Sequence, residues 1–172
     1  MQKLLARAVV LAGLAGIVSI PAFAQSDYPK AEVFGGFSIF SVGDGERDQL
    51  YGFQASVAGN FHKSVGLVAD FGGQYRTFDS TKVHAYEYIF GPRFSMRSDK
   101  ATVFAEALFG GVTVGGGGFS DSGFLMGFGG GVDVNAGKRL AVRVVQFDWL
   151  ADHVGGEWSW SEFRVGFGIV FR

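Results

Sequence analysis

The sequence predicts an all-β protein, an eight-stranded antiparallel up-and-down barrel built to stand in a membrane. Three observations carry that prediction. The chain opens with the parts of an export signal. The remainder divides into eight segments in which apolar residues recur at every second position, the period of a strand with one greasy face. All five lysines beyond the signal (Lys30, Lys63, Lys82, Lys100 and Lys138) fall at segment ends or in turns.

Lys3 and Arg7 precede an apolar run from Ala8 to Ile20, followed by Pro21-Ala22-Phe23-Ala24. Positive charge, a short apolar core and an Ala-x-Ala site make a secretory signal. The run is short for a transmembrane helix. The expectation is cleavage after Ala24, which divides the chain into a signal over 1–24 and a barrel over 25–172. Removing Lys3 and Arg7 from the 15 basic residues leaves 13 against 16 acidic ones. No basic patch points to nucleic acid. The chain has no cysteine, which excludes a disulfide framework and a thiolate zinc site. Charged residues make up 18%, below the roughly 25% of soluble domains. With 28 Gly, 19 Phe and only 3 Pro, the composition fits curved strands and not a disordered linker. Beyond the signal no apolar run approaches a spanning helix, so a membrane must be crossed by strands.

The strands are expected near 31–41, 50–61, 65–76, 83–96, 102–113, 123–134, 139–150 and 159–171. Each is about long enough to cross a bilayer at a tilt. The first places Glu32 on its polar side. In the second, Tyr51, Phe53, Ala55 and Val57 oppose Gln54 and Ser56. In the third, Leu67, Ala69, Phe71 and Tyr75 oppose Asp70, Gln74 and Arg76. In the fourth, His84, Tyr86, Tyr88, Phe90, Pro92, Phe94 and Met96 oppose Glu87, Arg93 and Ser95. The fifth carries Glu106. In the sixth, Phe124, Met126, Phe128, Val132 and Val134 oppose Asp133 and a row of Gly. The seventh carries Asp148. The eighth sets Glu162 and Arg164 against Phe163, Val165, Phe167, Ile169 and Phe171. Arg143 breaks the pattern by sharing parity with Val145, Phe147 and Trp149; either it snorkels at the rim or a bulge shifts the register.

Three connections (60–64, 97–101, 135–138) read as tight and polar. The others (42–49, 77–82, 114–122, 151–158) read mostly as longer loops rich in Gly, Asp and Ser. Short turns on one side and longer loops on the other are the outer-membrane pattern, with the short set and both chain ends inside. Alternation alone also fits a soluble lipocalin-type barrel with its apolar face inward. Lysine placement decides against it, because a lysine on a lipid face costs roughly 2–4 kcal/mol at the midplane. The small residues of the polar face also suit a narrow lumen.

With the signal, the eight alternating segments and the aromatic-rich last strand in place, the mature chain resembles the OmpA-like family of eight-stranded outer-membrane barrels. The resemblance implies residence in the bacterial outer membrane among its lipids and lipopolysaccharide. It also implies dealings with periplasmic chaperones and the barrel-insertion machinery during biogenesis. The row Phe163, Val165, Phe167, Ile169, Phe171 looks like the family's assembly signal, although the chain ends Phe171-Arg172 and not on the aromatic. Some members carry a second, peptidoglycan-binding domain. The expectation is that this chain carries no such domain, so wall anchoring is not implied.

Glu32, Asp70, Arg76, Glu87, Arg93, Glu106, Asp133, Asp148, Glu162 and Arg164 share inward parity. Buried charges persist when paired, and an eight-stranded lumen is only wide enough for side chains to fill. A plug of Arg–carboxylate pairs is therefore favoured over an ion pathway opened by switching partners. Tyr28, Tyr51, Tyr75, Trp149, Trp158 and Trp160 lie near strand ends and form an expected interfacial girdle. Gly115-Gly116-Gly117-Gly118 lacks the Lys-Ser/Thr of a phosphate cradle and reads as an outer loop. His84 and His153 lie near Asp79, Ser80, Asp121, Ser122, Asp152 and Glu157, which would allow a lipid-modifying acyl-transfer or hydrolytic site. Asp152, His153 and Glu157 could hold a metal weakly. No spacing singles out either chemistry, and solvated loop residues explain them as well. The expectation is a non-enzymatic barrel with no cofactor and a structural or surface-interaction role. A lipid-modifying enzyme and a soluble apolar-ligand carrier are the alternatives.

Overall fold

The computed structural model describes residues 28–43, 48–78 and 81–172. The signal expected over 1–24 and its expected cleavage site lie outside the described residues. Eight strands run in chain order: β1 (Ala31–Val42), β2 (Asp48–His62), β3 (Val65–Phe78), β4 (Thr81–Arg97), β5 (Ala101–Gly116), β6 (Phe119–Asn135), β7 (Leu140–Val154) and β8 (Glu157–Phe171). Each pairs antiparallel with its neighbours, and β8 returns to β1 from Val33↔Phe171 to Ser41↔Phe163, closing the barrel. Closure satisfies the backbone of every strand and leaves no sheet edge around the wall, the condition for strands in lipid.

The barrel is polar inside and apolar outside. Asp70, Glu87, Arg93, Glu106, Asp148 and Arg164 are buried, whereas Leu67, Phe90, Phe94, Phe128, Phe167 and Ile169 stand exposed on the outer wall. A lipocalin-type barrel is built the other way round. Aromatic pairs cover the wall across neighbouring strands, Phe37–Phe167 at 5.6 Å, Phe53–Phe71 at 5.9 Å and Phe147–Phe163 at 5.5 Å between centroids. Such a surface belongs against acyl chains.

Below, the end holding the β2–β3, β4–β5 and β6–β7 turns is called inner and the opposite end outer, following the orientation expected from sequence. The longer loops expected at the outer end contract. β5 runs on to Gly116 and β7 to Val154, leaving two-residue turns at Gly117-Gly118 and Gly155-Gly156. All four glycines have positive φ (59°, 93°, 64° and 90°). Two successive positive φ values make the type I′ turn, whose twist matches the flanking strands. The Gly115–Gly118 run is therefore half ladder and half hairpin turn. It reads as a loop because backbone pairing beyond the bilayer needs no apolar side chains to sustain it. β3 likewise extends to Phe78 and β4 starts at Thr81.

A bulge resolves Arg143. On β7, Val145 faces Val132 and Arg143 faces the adjacent Asp133, so Val144 is an extra residue without a partner position on β6. Parity changes there. Ala141 and Arg143 point inward on one side of it, and Gln146, Asp148 and Leu150 on the other, while Val144 and Val145 are both exposed.

The turns carry a testable consequence. Gly118→Val must hold a β-branched residue at φ +93° and should lower stability by at least about 1–2 kcal/mol. Gly137→Val in an inner turn meets nothing within 4 Å and should stay within about 0.5 kcal/mol. Urea unfolding of the protein folded into lipid vesicles reads both.

Candidate functional site

The lumen is filled in layers, and each layer takes residues from strands distant in sequence. At the inner end Glu32 (β1) accepts from Arg97 Nη2 at 2.8 Å and from Arg172 Nε at 2.7 Å. Asp133 (β6) takes Arg143 Nε at 2.8 Å and lies 3.6 Å from Arg172 Nη2. Arg172 also donates to Asn135 and, at 3.1 Å, to the Thr102 hydroxyl. The Arg143 guanidinium sits between the rings of Phe34 and Phe104, at 4.2 and 4.4 Å, and Arg93 stacks over Phe104 at 4.5 Å. Flat guanidinium faces cover flat rings while the edges hydrogen-bond, a combination lysine does not offer.

The central layer turns on Arg164. Its Nη1 lies 2.9 Å from Asp70 Oδ1 and 2.6 Å from Glu87 Oε2, and its Nη2 lies 2.8 Å from Asp148 Oδ2. One guanidinium from β8 thus ties carboxylates of β3, β4 and β7. Arg93 pairs with Glu106 at 2.9 Å. Gln146 joins the layers, donating to Glu106 at 2.9 Å and to Asp148 at 3.0 Å and accepting from Arg143 at 2.6 Å. Gln54 donates to Asp70 at 2.7 Å. Room for this comes from glycine: a methyl at Gly129 would collide with Asp148 Oδ1, and one at Gly72 would come within 3.0 Å of Glu87 Oε2.

Toward the outer end the interior turns apolar. Phe40, Leu50, Ala85, Ile89, Leu108, Val112, Leu125 and Leu150 pack as one buried cluster, with Val42, Val114 and Val154 against it.

The ten charged residues expected inward fall into three groups. Asp70, Glu87, Arg93, Glu106, Asp148 and Arg164 make the central layer, and Glu32 and Asp133 belong to the inner one. Arg76 and Glu162 face inward but stand apart, at the outer end. Arg76 pairs with Asp48 at 3.1 Å, with both side chains partly exposed, and Glu162 meets the carboxyl of Asp152. Sequence reasoning missed Arg97, the last residue of β4, and Arg172, one residue past β8, because the expected strands stopped at 96 and 171 and put both outside the faces being compared, and it left Arg143 open. It passed over the linking amides of Asn60 and Gln146, which are not charged.

In the last strand Phe167, Ile169 and Phe171 are exposed on the outer wall, while Phe163 and Val165 are half-buried there. Trp149 donates to the Trp160 carbonyl at 2.6 Å, and Trp158 stacks on Trp160 at 5.3 Å, so the tryptophans form one cluster. The Tyr28 hydroxyl donates to the Phe61 carbonyl at 2.8 Å near the inner end. His84 packs on Tyr86 at 5.3 Å and His153 on Trp158 at 4.9 Å. The Ser122 hydroxyl shares a hydrogen bond with Thr113, and the Ser122 amide donates to Asp121. Asp152 is buried inward from β7 while its neighbour His153 stacks on Trp158. Among the described residues no group of three His, Asp or Glu is placed to hold a metal.

The fold is shared with small outer-membrane barrels. Neisserial surface protein A aligns with a TM-score of 0.62 at 9% identity, over 83% of this chain and 97% of its own. Ail, the attachment invasion locus protein of Yersinia pestis, aligns at 0.55 and 14% identity, over 82% of this chain and 96% of its own. A further structure of Ail, in complex with the heparin analogue sucrose octasulfate, aligns at 0.57 and 15% identity, over 82% and 96% of the two chains. No protein-family model and no curated protein sequence matches the chain.

Removing Arg164 would leave Asp70, Glu87 and Asp148 buried beside one another without their shared cation. Arg164→Met should cost roughly 3–5 kcal/mol, the penalty for breaking a buried pair. Arg76→Met, at a partly exposed pair, should cost under about 1 kcal/mol. Urea midpoints in vesicles separate the two.

Proposed function

We propose that this chain is a small integral outer-membrane barrel that acts as a closed wall element and a platform for surface contact, and not as a pore or an enzyme. The observation that carries this reading is the layered lumen. Two ionic layers are followed by an apolar cap drawn from β1, β2, β4, β5, β6 and β7, with Glu162 of β8 paired beside Leu150 at its edge. An ion crossing the barrel would have to break buried Arg–carboxylate pairs and then enter hydrocarbon, and both steps are costly.

The exposed apolar wall and the tryptophan cluster support residence in the outer membrane, in contact with its lipids and lipopolysaccharide. Chaperones and the insertion machinery would be met on the way there. The row Phe163, Val165, Phe167, Ile169, Phe171 is proposed as the segment that machinery reads. The heparin analogue bound to Ail supports contact with anionic groups as one kind of surface role for this chain. Against a lipid-modifying activity, His84 and His153 each pack on an aromatic ring, and Ser122 is bonded to Thr113.

In planar bilayers with concentrated KCl the protein should insert without stepwise conductance. Discrete, reproducible open levels at low voltage would contradict the closed-wall reading.

A further inference from the structure

The outer rim is not uniform in charge. Over β5–β8 its outer end carries Asp121, Asp152 and Glu157 with no Lys or Arg among the described residues. The opposite side, at the outer ends of β2, β3 and β4, holds Arg76, Lys82 and His84, with Asp48 the one acid among the described residues there and paired with Arg76. There a groove of about 930 Å³ opens, lined by Tyr51, Tyr75, Arg76, Lys82, His84 and Tyr86 among others. We propose that this groove is a binding site for the anionic phosphomonoester headgroup of an outer-leaflet lipid. The proposal rests on the membrane placement argued above.

Three features identify the occupant. First, the groove continues the lipid-facing wall. Tyr51 pairs with Tyr75 and Tyr75 with His84 across the ladder, Tyr51 and Tyr75 are about half exposed, and Tyr86 stacks on Phe71 at 6.4 Å. A ligand resting there touches acyl chains on one side and water on the other, so it must be an amphiphile. Tyr and His rings with polar tips suit that depth.

Second, the groove's polar edge carries donors and cations. The Tyr75 and Tyr86 hydroxyls lie 3.2 Å apart. In a hydroxyl pair one proton bridges and the other can point outward to an acceptor. Tyr51 donates to Gln49 at 2.8 Å, which fixes its ring at the wall. Among the described residues Lys82 has no ion-pair partner, and Arg76, at the lumen mouth with Asp48 as its counter-ion, also lines the groove. Phosphate oxygens are strong acceptors for such charged donors.

Third, the groove is pre-shaped. His84 lies over the backbone of Gly115, where an added methyl would stand 2.8 Å from Nε2, and Tyr75 and Tyr86 meet edge to face at 6.0 Å. Rings with two rotatable bonds lose little entropy on contact.

The test uses the full mature protein in zwitterionic micelles. Phosphatidic acid and phosphatidylcholine of the same chains are added separately, and retained lipid is counted by native mass spectrometry. Phosphatidic acid should be retained over phosphatidylcholine, and Lys82→Gln with Arg76→Gln should weaken that retention about thirtyfold, given about 1 kcal/mol for each basic group near a membrane surface. Tyr75→Phe with Tyr86→Phe, which keeps the rings, should weaken it as well. Lys138→Gln, which removes one charge in an inner turn, should change nothing. Equal retention of the two lipids, or of phosphatidic acid by wild type and the double cation variant, would overturn the proposal. So would displacement of the lipid by inorganic phosphate or sucrose octasulfate at matched concentration, which would make the groove a site for a soluble anion. Neither Arg76 nor Lys82 belongs to the central ion layer, so the closed-wall reading is tested separately by conductance and survives any of these results.

Discussion

Everything in the lumen is arranged around the guanidinium of Arg164. It is fully buried, and it reaches carboxylates on three other strands at 2.6–2.9 Å. A planar cation with several donors is the side chain able to serve three acids at once. The need to house it shapes the sequence nearby. Gly72 and Gly129 leave the space that Glu87 and Asp148 occupy, and Gln146 and Gln54 supply the donors that one arginine cannot. Buried pairs of this kind seldom add net stability over a well-packed apolar core, but losing one member is costly. Their value here lies in register. A one-residue slip of any strand would turn its charge toward lipid, where it costs several kcal/mol.

The inner layer applies the same chemistry to closure. Glu32 of β1 receives Arg97 from the end of β4 and Arg172 from the end of β8, so the first and last strands are tied by an ion pair as well as by their ladder. Arg143 enters this layer because the bulge at Val144 turns it inward, where Phe34 and Phe104 flank it. The outer part of the lumen is filled mainly with Leu, Ile, Val and Phe, with Arg76–Asp48 and Asp152–Glu162 paired at its mouth. The barrel is thus ionic where its chain ends meet and oily toward the opposite rim. That gradient, more than the strand count, makes a continuous polar path implausible on energetic grounds.

Much of this was legible in the chain. Period-two patterning marked all eight strands and, apart from the inner end of β7, their faces, because each strand lies between two very different surroundings. The lysines marked the boundaries of the lipid zone. Eight of the ten inward charges lie in the ionic layers, and Arg76 and Glu162 lie at the outer mouth, a difference of height that parity cannot report. The outer hairpins were read as loops because Gly-rich, polar segments look alike whether or not their backbones pair. Arg97 and Arg172 were invisible for a related reason. Arg97 ends β4 and Arg172 follows β8, one residue beyond the strands expected from sequence, and only the closed barrel brings them over Glu32. Arg143 carried a signal in its broken parity, and the bulge behind it was one of two readings that signal allowed.

The central claim is that Arg164 holds the lumen by charge compensation and not merely by volume. The most direct measurement compares the urea stability of Arg164→Met alone with that of Arg164→Met combined with Asp70→Asn, Glu87→Gln and Asp148→Asn. Neutralising the three acids removes the charges left stranded by the first change, so the combined variant should regain most of the stability lost by the single one. A combined variant as unstable as Arg164→Met, or less stable, would contradict the account.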